Sequence, residues 1–341
     1  MLLHRGAAFP DRPRILVRLP NWLGDVVMSL PFLHELKANF PGCELGLIVK
    51  KGLDGMDKTF FPEGAQFFVF SKKEYKGLRG AWRFGRLLGE AQWDLFFCLP
   101  DSFSSACMAY ATRAVRRIGY AKELRSVFLT DTFSKKTGLH RADLYRSLLY
   151  EFLGKPLPPR DGQVPFRAGG ERSGLVVNLN SEAVSRRIPV EKAAAIVQAL
   201  AEQTAAPITL VGGPADADHV AAVERLLPQQ VAVRNMAGKT TLPELVGVIS
   251  SARAMLSSDS GPAHLASMAG TPLVVLFGAG DERETGPAFS GYHQVLRLGA
   301  LPCEPCRSNT CKLAAEPPCL TRLEVDRIVS AVATALEAPA G

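Results

Sequence analysis

Short β-rich runs alternate with longer stretches of helical period from one end of the chain to the other, and this alternation restricts the fold more than any other feature. Parallel strands cannot be joined by tight hairpins. They need long crossovers, usually helices, so the pattern predicts the α/β class with parallel sheets. Residues 14–19 read as a first strand, 20–24 as a loop, and the apolar positions Val26, Leu30, Leu33 and Leu36 then recur at helical spacing. Further strands are predicted at 44–49, 66–70, 93–99 and 117–120, and a helix over 142–153 closes this half. The stretch 155–170 holds four prolines and three glycines with little to bury, which predicts a linker. Beyond it the rhythm restarts: strands at 175–179, 208–211, 254–257 and 273–277, and helices at 190–201, 217–227, 242–251 and 263–269. Two doubly wound, Rossmann-like domains, 1–160 and 161–341, are expected to face each other across a cleft, with ligands at the carboxyl ends of the strands.

The 341 residues are 47% hydrophobic and 21% charged, enough for two globular cores. Forty Lys and Arg against 33 Asp and Glu leave a net charge of +7, which favours anionic partners such as phosphates, nucleic acid or acidic headgroups without choosing among them. No apolar run approaches bilayer-spanning length, and residues 1–13 carry charges and prolines where an export signal needs an apolar region. A cytoplasmic protein is expected. Cys43, Cys98 and Cys107 stand singly among apolar residues and read as reduced core thiols. There is no Gly-Lys-Ser/Thr phosphate loop, no Gly-x-Gly-x-x-Gly after the first strand and no nucleophile elbow, which disfavours kinase, dehydrogenase and hydrolase chemistry. Dispersed basic residues without a recognition module disfavour nucleic-acid binding.

Four constellations can carry chemistry. In Arg18-Leu19-Pro20-Asn21-Trp22-Leu23-Gly24-Asp25, Gly24 permits close backbone approach, Trp22 either stacks on a sugar or packs, and Asp25 either caps the helix or accepts a proton from a sugar hydroxyl. In Ser257-Ser258-Asp259-Ser260-Gly261-Pro262-Ala263-His264, the amides of Ser260, Gly261 and Ala263 would converge at a helix start where a pyrophosphate can dock, with His264 as a further donor; the alternative is an ordinary capped helix. Ser181, Ser185, Arg186 and Arg187 precede the helix at 190–201, and guanidinium groups there can neutralise a diphosphate or simply be solvated. Gly212-Gly213-Pro214 with Asp216 and Asp218 makes a similar turn, where a carboxylate can accept from ribose hydroxyls. Cys303, Cys306, Cys311 and Cys319 are separated by two, four and seven residues. This set reads equally as a tetrahedral zinc site or as a free-thiol, redox-sensitive loop, and no metal is assigned from it. Lys50, Lys51, Arg113, Arg116, Arg117, Lys122 and Arg125 are candidates for a patch that binds an anionic acceptor.

Taken together, Gly24-Asp25, the 259–266 segment, Leu276-Phe277-Gly278 and the cysteine cluster resemble the ADP-heptose:lipopolysaccharide heptosyltransferase family, glycosyltransferase family 9. The 20–25 loop is most similar to its heptosyltransferase II branch, and the resemblance spans roughly residues 14–330 in the same order. It implies a GT-B glycosyltransferase whose N-terminal domain binds the acceptor and whose C-terminal domain binds ADP-heptose. The implied reaction inverts the anomeric centre, with no metal or cofactor required. Asp25 matches the family's general base. Arg186 falls where relatives often have lysine beside the donor diphosphate, and Ser181 at the upstream phosphate-contacting hydroxyl. Thr240, Thr241 and Leu242 match the segment near adenine, and Asp259, Ser260, Gly261 and His264 the diphosphate turn. Asp216 is assigned to the ribose, with Asp218 as the alternative, and Arg125 resembles a basic residue near the acidic acceptor sugars. The Arg186-Arg187-Ile188-Pro189 segment departs from the family pattern, which has lysine first and tryptophan before the proline; charge is kept, but reach and geometry change. The implied partners are the ADP-heptose donor and a lipid-anchored lipopolysaccharide core acceptor, met by a monomer at the cytoplasmic face of the inner membrane. The rival expectations are a family transferase with another acceptor or nucleotide sugar, a non-catalytic nucleotide-sugar binding module, and a nucleotide-sugar epimerase.

Overall fold

The computed structural model describes residues 10–56, 58–162 and 170–339. Residues 1–9, which bear on the expectation about export, and 163–169, within the proline- and glycine-rich stretch, lie outside the described residues. The chain divides into two compact units, Met1–Arg160 and Asp161–Gly341.

The first unit runs β1 (Arg14–Arg18), α1 (Leu23–Asn39), β2 (Glu44–Lys50), β3 (Gln66–Phe70), α2 (Gly77–Gly89), β4 (Leu95–Cys98), α3 (Phe103–Ala111), β5 (Arg116–Tyr120), β6 (Asp131–Phe133) and α4 (Arg141–Leu153). Its six strands are all parallel in the order β3-β2-β1-β4-β5-β6. The central strands are buried on both faces, so Ile15, Leu16 and Val17 of β1 and Leu95, Phe96 and Phe97 of β4 form continuous apolar runs rather than alternating ones. Each such side chain contributes about 1.5–3 kcal/mol by leaving water.

The second unit runs β7 (Leu175–Asn178), α5 (Val190–Gln203), β8 (Ile208–Leu210), α6 (Ala217–Leu226), β9 (Val233–Asn235), α7 (Leu242–Ser250), β10 (Ala254–Ser258), α8 (Gly261–Met268), β11 (Leu273–Phe277), α9 (Glu282–Thr285), β12 (His293–Arg297), α10 (Pro318–Thr321) and α11 (Val325–Glu337). Its order, β12-β11-β10-β7-β8-β9, is the same topology counted from β7, again wholly parallel. In both units the chain starts at the sheet centre, winds outward, and returns to the other side of the starting strand. The crevice for a ligand in such sheets lies where the order reverses, between β1 and β4 and between β7 and β10. Among the described residues no helix is long and apolar enough to cross a membrane.

The strands β6, β9 and β12 and the helix α2 are absent from the sequence expectations for physical reasons. The three strands are sheet edges and only partly buried, so they carry no continuous apolar run. Helix α2 carries four glycines in thirteen residues, a poor helix composition. Gly85 serves packing: a Cβ there would lie 2.4 Å from the Met108 carbonyl oxygen of α3.

Gly46 shows the same constraint inside the first sheet. A Cβ there would meet the Trp93 ring at 2.6 Å, Leu16 at 2.9 Å and Phe68 at 3.0 Å. Gly46→Ala is expected to destabilise the first unit by about 1–3 kcal/mol, because neither ring nor strand can withdraw without opening the core. Urea unfolding checks this, and a change below about 0.5 kcal/mol would contradict the packing.

Candidate functional site

At the first reversal point, the loop after β1 is built on a buried arginine. Arg18 donates to the carbonyls of Leu19 and Ile48 and to the Asn21 side chain, and its guanidinium lies over the Phe70 ring. Burial pulls its pKa down to about 10, still charged at neutral pH. Trp22 projects from this loop, 52% exposed, with the Lys50 ammonium 5.0 Å above its ring.

Asp25 sits in the first turn of α1, where the helix dipole favours a carboxylate. Helix α4 packs along α1 and brings two partners to it. The Tyr145 hydroxyl donates to Asp25 Oδ1 at 3.2 Å, and the Arg141 guanidinium lies 3.7 Å from the same oxygen. Burial and the nearby carboxylate raise the Tyr145 pKa well above its ordinary value, so the hydroxyl remains a donor at neutral pH. A buried Arg146 pins the pair of helices: it donates to Glu35 of α1 at 2.7 Å, to Asp143 at 2.8 Å and to the Pro158 carbonyl at 3.0 Å. Asp25 is therefore held from a second helix, while its carboxylate keeps 19% exposure.

At the second reversal point, side chains cross from β7 to β10. Asn178 is in register with Ser257 and donates to its hydroxyl at 3.2 Å and to the Ser260 hydroxyl at 2.8 Å. Asn180 donates to the Val211 carbonyl at 2.8 Å and accepts at its own carbonyl from Ser258. Asp259 is 4% exposed and 3.4 Å from the Arg186 guanidinium. Gly280 makes room for it, since a Cβ there would lie 1.9 Å from Asp259 Oδ2. Arg187 donates to the Ser181 carbonyl at 3.1 Å and to Asp216 at 3.3 Å, tying two predicted positions together.

The structure thus gathers Ser181, Arg186, Asp216, Asp259, Ser260, Gly261 and the buried His264 at the carboxyl edge of the second sheet, while Trp22, Gly24 and Asp25 occupy that edge of the first. Thr240, Thr241 and Leu242 open α7 close by, joined through the Gly238 amide to the Gly212 carbonyl. Thr241 forms a capping box with Glu244, and Asp216 accepts from the Gly213 amide at 3.0 Å. Asp218 is exposed on the first turn of α6.

Three expectations are corrected. The Ala263 amide does not join those of Ser260 and Gly261, because it bonds to the Ser260 carbonyl at 3.2 Å. Arg125 is not at the surface: it is 1% exposed, bonded to the Tyr120 carbonyl and Cys98, and 3.5 Å from Asp101. The basic residues also form no single patch, since Lys51 pairs with Glu74, Arg116 with Asp131, and Arg117 with the carbonyls of Ala114 and Phe128.

Sequence reasoning missed Tyr145 and Arg141, which only the packing of α4 on α1 brings to Asp25. It also missed Asn178, Asn180 and Arg297. Two asparagines at a strand end were a usable signal, because a buried amide there must bond across to a neighbouring strand. Arg297, at the end of β12, binds the carbonyls of Gly278 and Gly280 and pairs with Glu282.

Burial pushes the Asp259 pKa up from 3.8 to about 6, although Arg186 and Arg297 oppose the shift. Between pH 4 and 6 the folded chain therefore holds a proton that the unfolded chain has released, and stability falls as pH rises through this window. The native chain is expected to lose up to about 3 kcal/mol relative to Asp259→Asn between pH 4 and 7.5, measured by paired urea titrations. A pH-independent difference would rule out this burden on Asp259.

The family model for glycosyltransferase family 9 (heptosyltransferase) matches residues 81–315. Lipooligosaccharide heptosyltransferase 2 of Haemophilus influenzae is 25% identical over 325 residues, covering 83% of this chain and 88% of that protein. The structure of the E. coli ADP-heptose lipopolysaccharide heptosyltransferase II superposes with a TM-score of 0.76 at 22% identity, covering 95% and 98% of the two chains. The glycosyltransferase family 9 structure from Veillonella parvula gives 0.82 at 21% identity, covering 97% and 99%. These neighbours share the GT-B arrangement of two parallel α/β units, and the extent of the family match shows that this chain is a glycosyltransferase belonging to family 9, the heptosyltransferases.

Proposed function

We propose that the chain transfers L-glycero-D-manno-heptose from ADP-heptose to a heptose of the lipopolysaccharide inner core, with inversion at the anomeric carbon. The similarity to a lipooligosaccharide heptosyltransferase and to an ADP-heptose lipopolysaccharide heptosyltransferase supports the donor and the acceptor class. The observation that carries the reading is the Asp25 carboxylate, held by Tyr145 and Arg141 at the carboxyl edge of the first sheet. In this reading residues 1–160 bind the acceptor and residues 161–341 the donor.

Asp25 takes the proton of the acceptor hydroxyl, whose oxygen attacks the anomeric carbon. The bond from that carbon to the diphosphate oxygen breaks, and its electron pair leaves with ADP. Tyr145 and Arg141 orient the Asp25 carboxylate. Arg186 and the amides that open α8 meet the charge gathering on the diphosphate. The Arg186–Asp259 pair holds the guanidinium beside that turn before the donor arrives. Thr240, Thr241 and Leu242 lie near the adenine, Asp216 near the ribose, and Trp22 against the acceptor sugar. Arg125, being buried, acts on the acceptor side only by supporting Asp101 and the 120–125 segment. A lipid-anchored acceptor would bring the protein, as a monomer, to the cytoplasmic face of the inner membrane.

The test is ADP release from ADP-heptose with and without a heptosylated lipid A core. Acceptor-dependent release is expected, falling about 10²–10⁴-fold in Asp25→Asn while ADP affinity is retained. Turnover of the variant at the native rate would remove Asp25 as the base. Tight donor binding without product for any core acceptor would instead favour a binding module or another sugar.

A further inference from the structure

The outer surface of α2 and α3 has no part in the proposed chemistry. Helix α2 packs on α3 and α1 on α4, and right-handed crossovers put the two pairs on opposite faces of the first sheet. Of the thirteen large hydrophobic side chains that stand exposed among the described residues, eight fall between 78 and 127. Leu78 and Trp82, four apart on α2, share one stripe of that helix. From there the rings run on in contact: Trp82 to Tyr110 of α3 at 5.7 Å, Tyr110 to Phe128 at 5.5 Å, and Phe128 to Phe103 at 5.2 Å. The short 3-10 helix Glu123–Phe128 carries Leu124 and Val127 out to solvent, 74% and 70% exposed. Single exposed apolar residues need no explanation, but a joined row of this length marks an interaction surface.

The charge around the row selects the partner. Residues 72–128 hold eleven Lys and Arg against five Asp and Glu, nearly all of the chain's net charge of +7. Arg79, Arg83 and Arg86 are exposed and form a second stripe on α2 beside Leu78 and Trp82. We propose that this face docks on an anionic phospholipid bilayer, with Leu78, Trp82, Tyr110, Leu124 and Val127 seated among the headgroups and the α2 arginines on lipid phosphates. Trp and Tyr suit that boundary, because each joins an apolar ring to a polar tip. Basic residues beside them are drawn to the negative surface potential of such a bilayer. A second copy of the chain fits less well, since a two-fold contact through this face sets the α2 arginines against their own counterparts. Phe103 opens α3 after β4, and the 123–128 segment follows β5, so the row begins at the carboxyl edge of the first sheet, where Asp25 stands. Docking holds that edge at the headgroup surface. In this respect the inference rests on the proposed transfer, whose acceptor is lipid-anchored, and it assigns the face that meets the lipid.

The full chain is floated with vesicles of phosphatidylcholine alone or mixed with phosphatidylglycerol, with no donor or acceptor sugar present. Binding to the anionic vesicles is expected to be at least about 10-fold tighter than to the neutral ones and to weaken with salt. Lipids brominated on their acyl chains are expected to quench the tryptophan emission of the native chain, and the quenching to be lost in Trp82→Phe. The triple variant Arg79→Gln, Arg83→Gln, Arg86→Gln is expected to bind anionic vesicles about 100-fold more weakly. The double variant Leu124→Ser, Val127→Ser is expected to lose about 10-fold while keeping the salt dependence. All the substituted side chains are exposed, so an unchanged Tm and an unchanged rate on a deacylated, water-soluble core acceptor accompany these losses. The proposal is overturned if the native chain binds anionic vesicles no better than neutral ones, if both multiple variants bind as the native chain does, or if the same substitutions instead abolish a concentration-dependent dimer. Vesicle binding by a chain that transfers no heptose to any core acceptor would remove the transferase reading and leave the docking face in place.

Discussion

Parallel pairing of the first strand of each unit between two neighbours is the constraint on which the remainder rests. β1 lies between β2 and β4, and β7 between β8 and β10. A parallel ladder sends every strand toward the same edge, so every loop that leaves a strand and every helix that begins after one is delivered there. The reversal of strand order beside β1 and β7 separates the loops on either side and leaves a crevice. A chain organised this way needs few special residues to make a site. It needs polar groups at the ends of two central strands, and that is where Asp25 and Asp259 stand.

The two edges manage buried polarity differently. In the first unit a charge is supported by a neighbouring helix: Arg146 locks α4 to α1, and α4 then presents Tyr145 and Arg141 to Asp25. In the second unit the support comes from within the sheet, through amides and hydroxyls of Asn178, Asn180, Ser257, Ser258 and Ser260. Every bond in that network joins neutral groups, so it rigidifies the turn without adding charge. Asp259 is the exception, and its raised pKa shows that Arg186 only partly offsets the loss of water.

Much of the fold was legible from residue pattern. The central strands β1, β4, β7, β10 and β11 are apolar on both faces, and their runs stand out against the helices between them. The edge strands β6, β9 and β12 and the helix α2 were not legible, because these strands are only partly buried and α2 carries glycines, of which Gly85 packs against α3. The site was legible in the same uneven way. Loops that end a strand and open a helix, such as those at Asp25 and Ser260, announce themselves by local chemistry. Arg125 misled, because a basic side chain looks the same in sequence whether it faces water or a carbonyl and a thiol inside the sheet.

The sequence by itself determined the α/β class, the doubled rhythm and the loops that carry chemistry. Each of these follows from local periodicity or from residues adjacent in the chain. Only the tertiary structure decided which partners those loops acquired: Tyr145 for Asp25 across 120 residues, Arg186 for Asp259, Gly280 as the space for that carboxylate, and Ser308 beneath Ser185. Such pairings depend on how helices pack and in what order strands align. That order is set by burial of whole faces, which no single stretch of residues encodes.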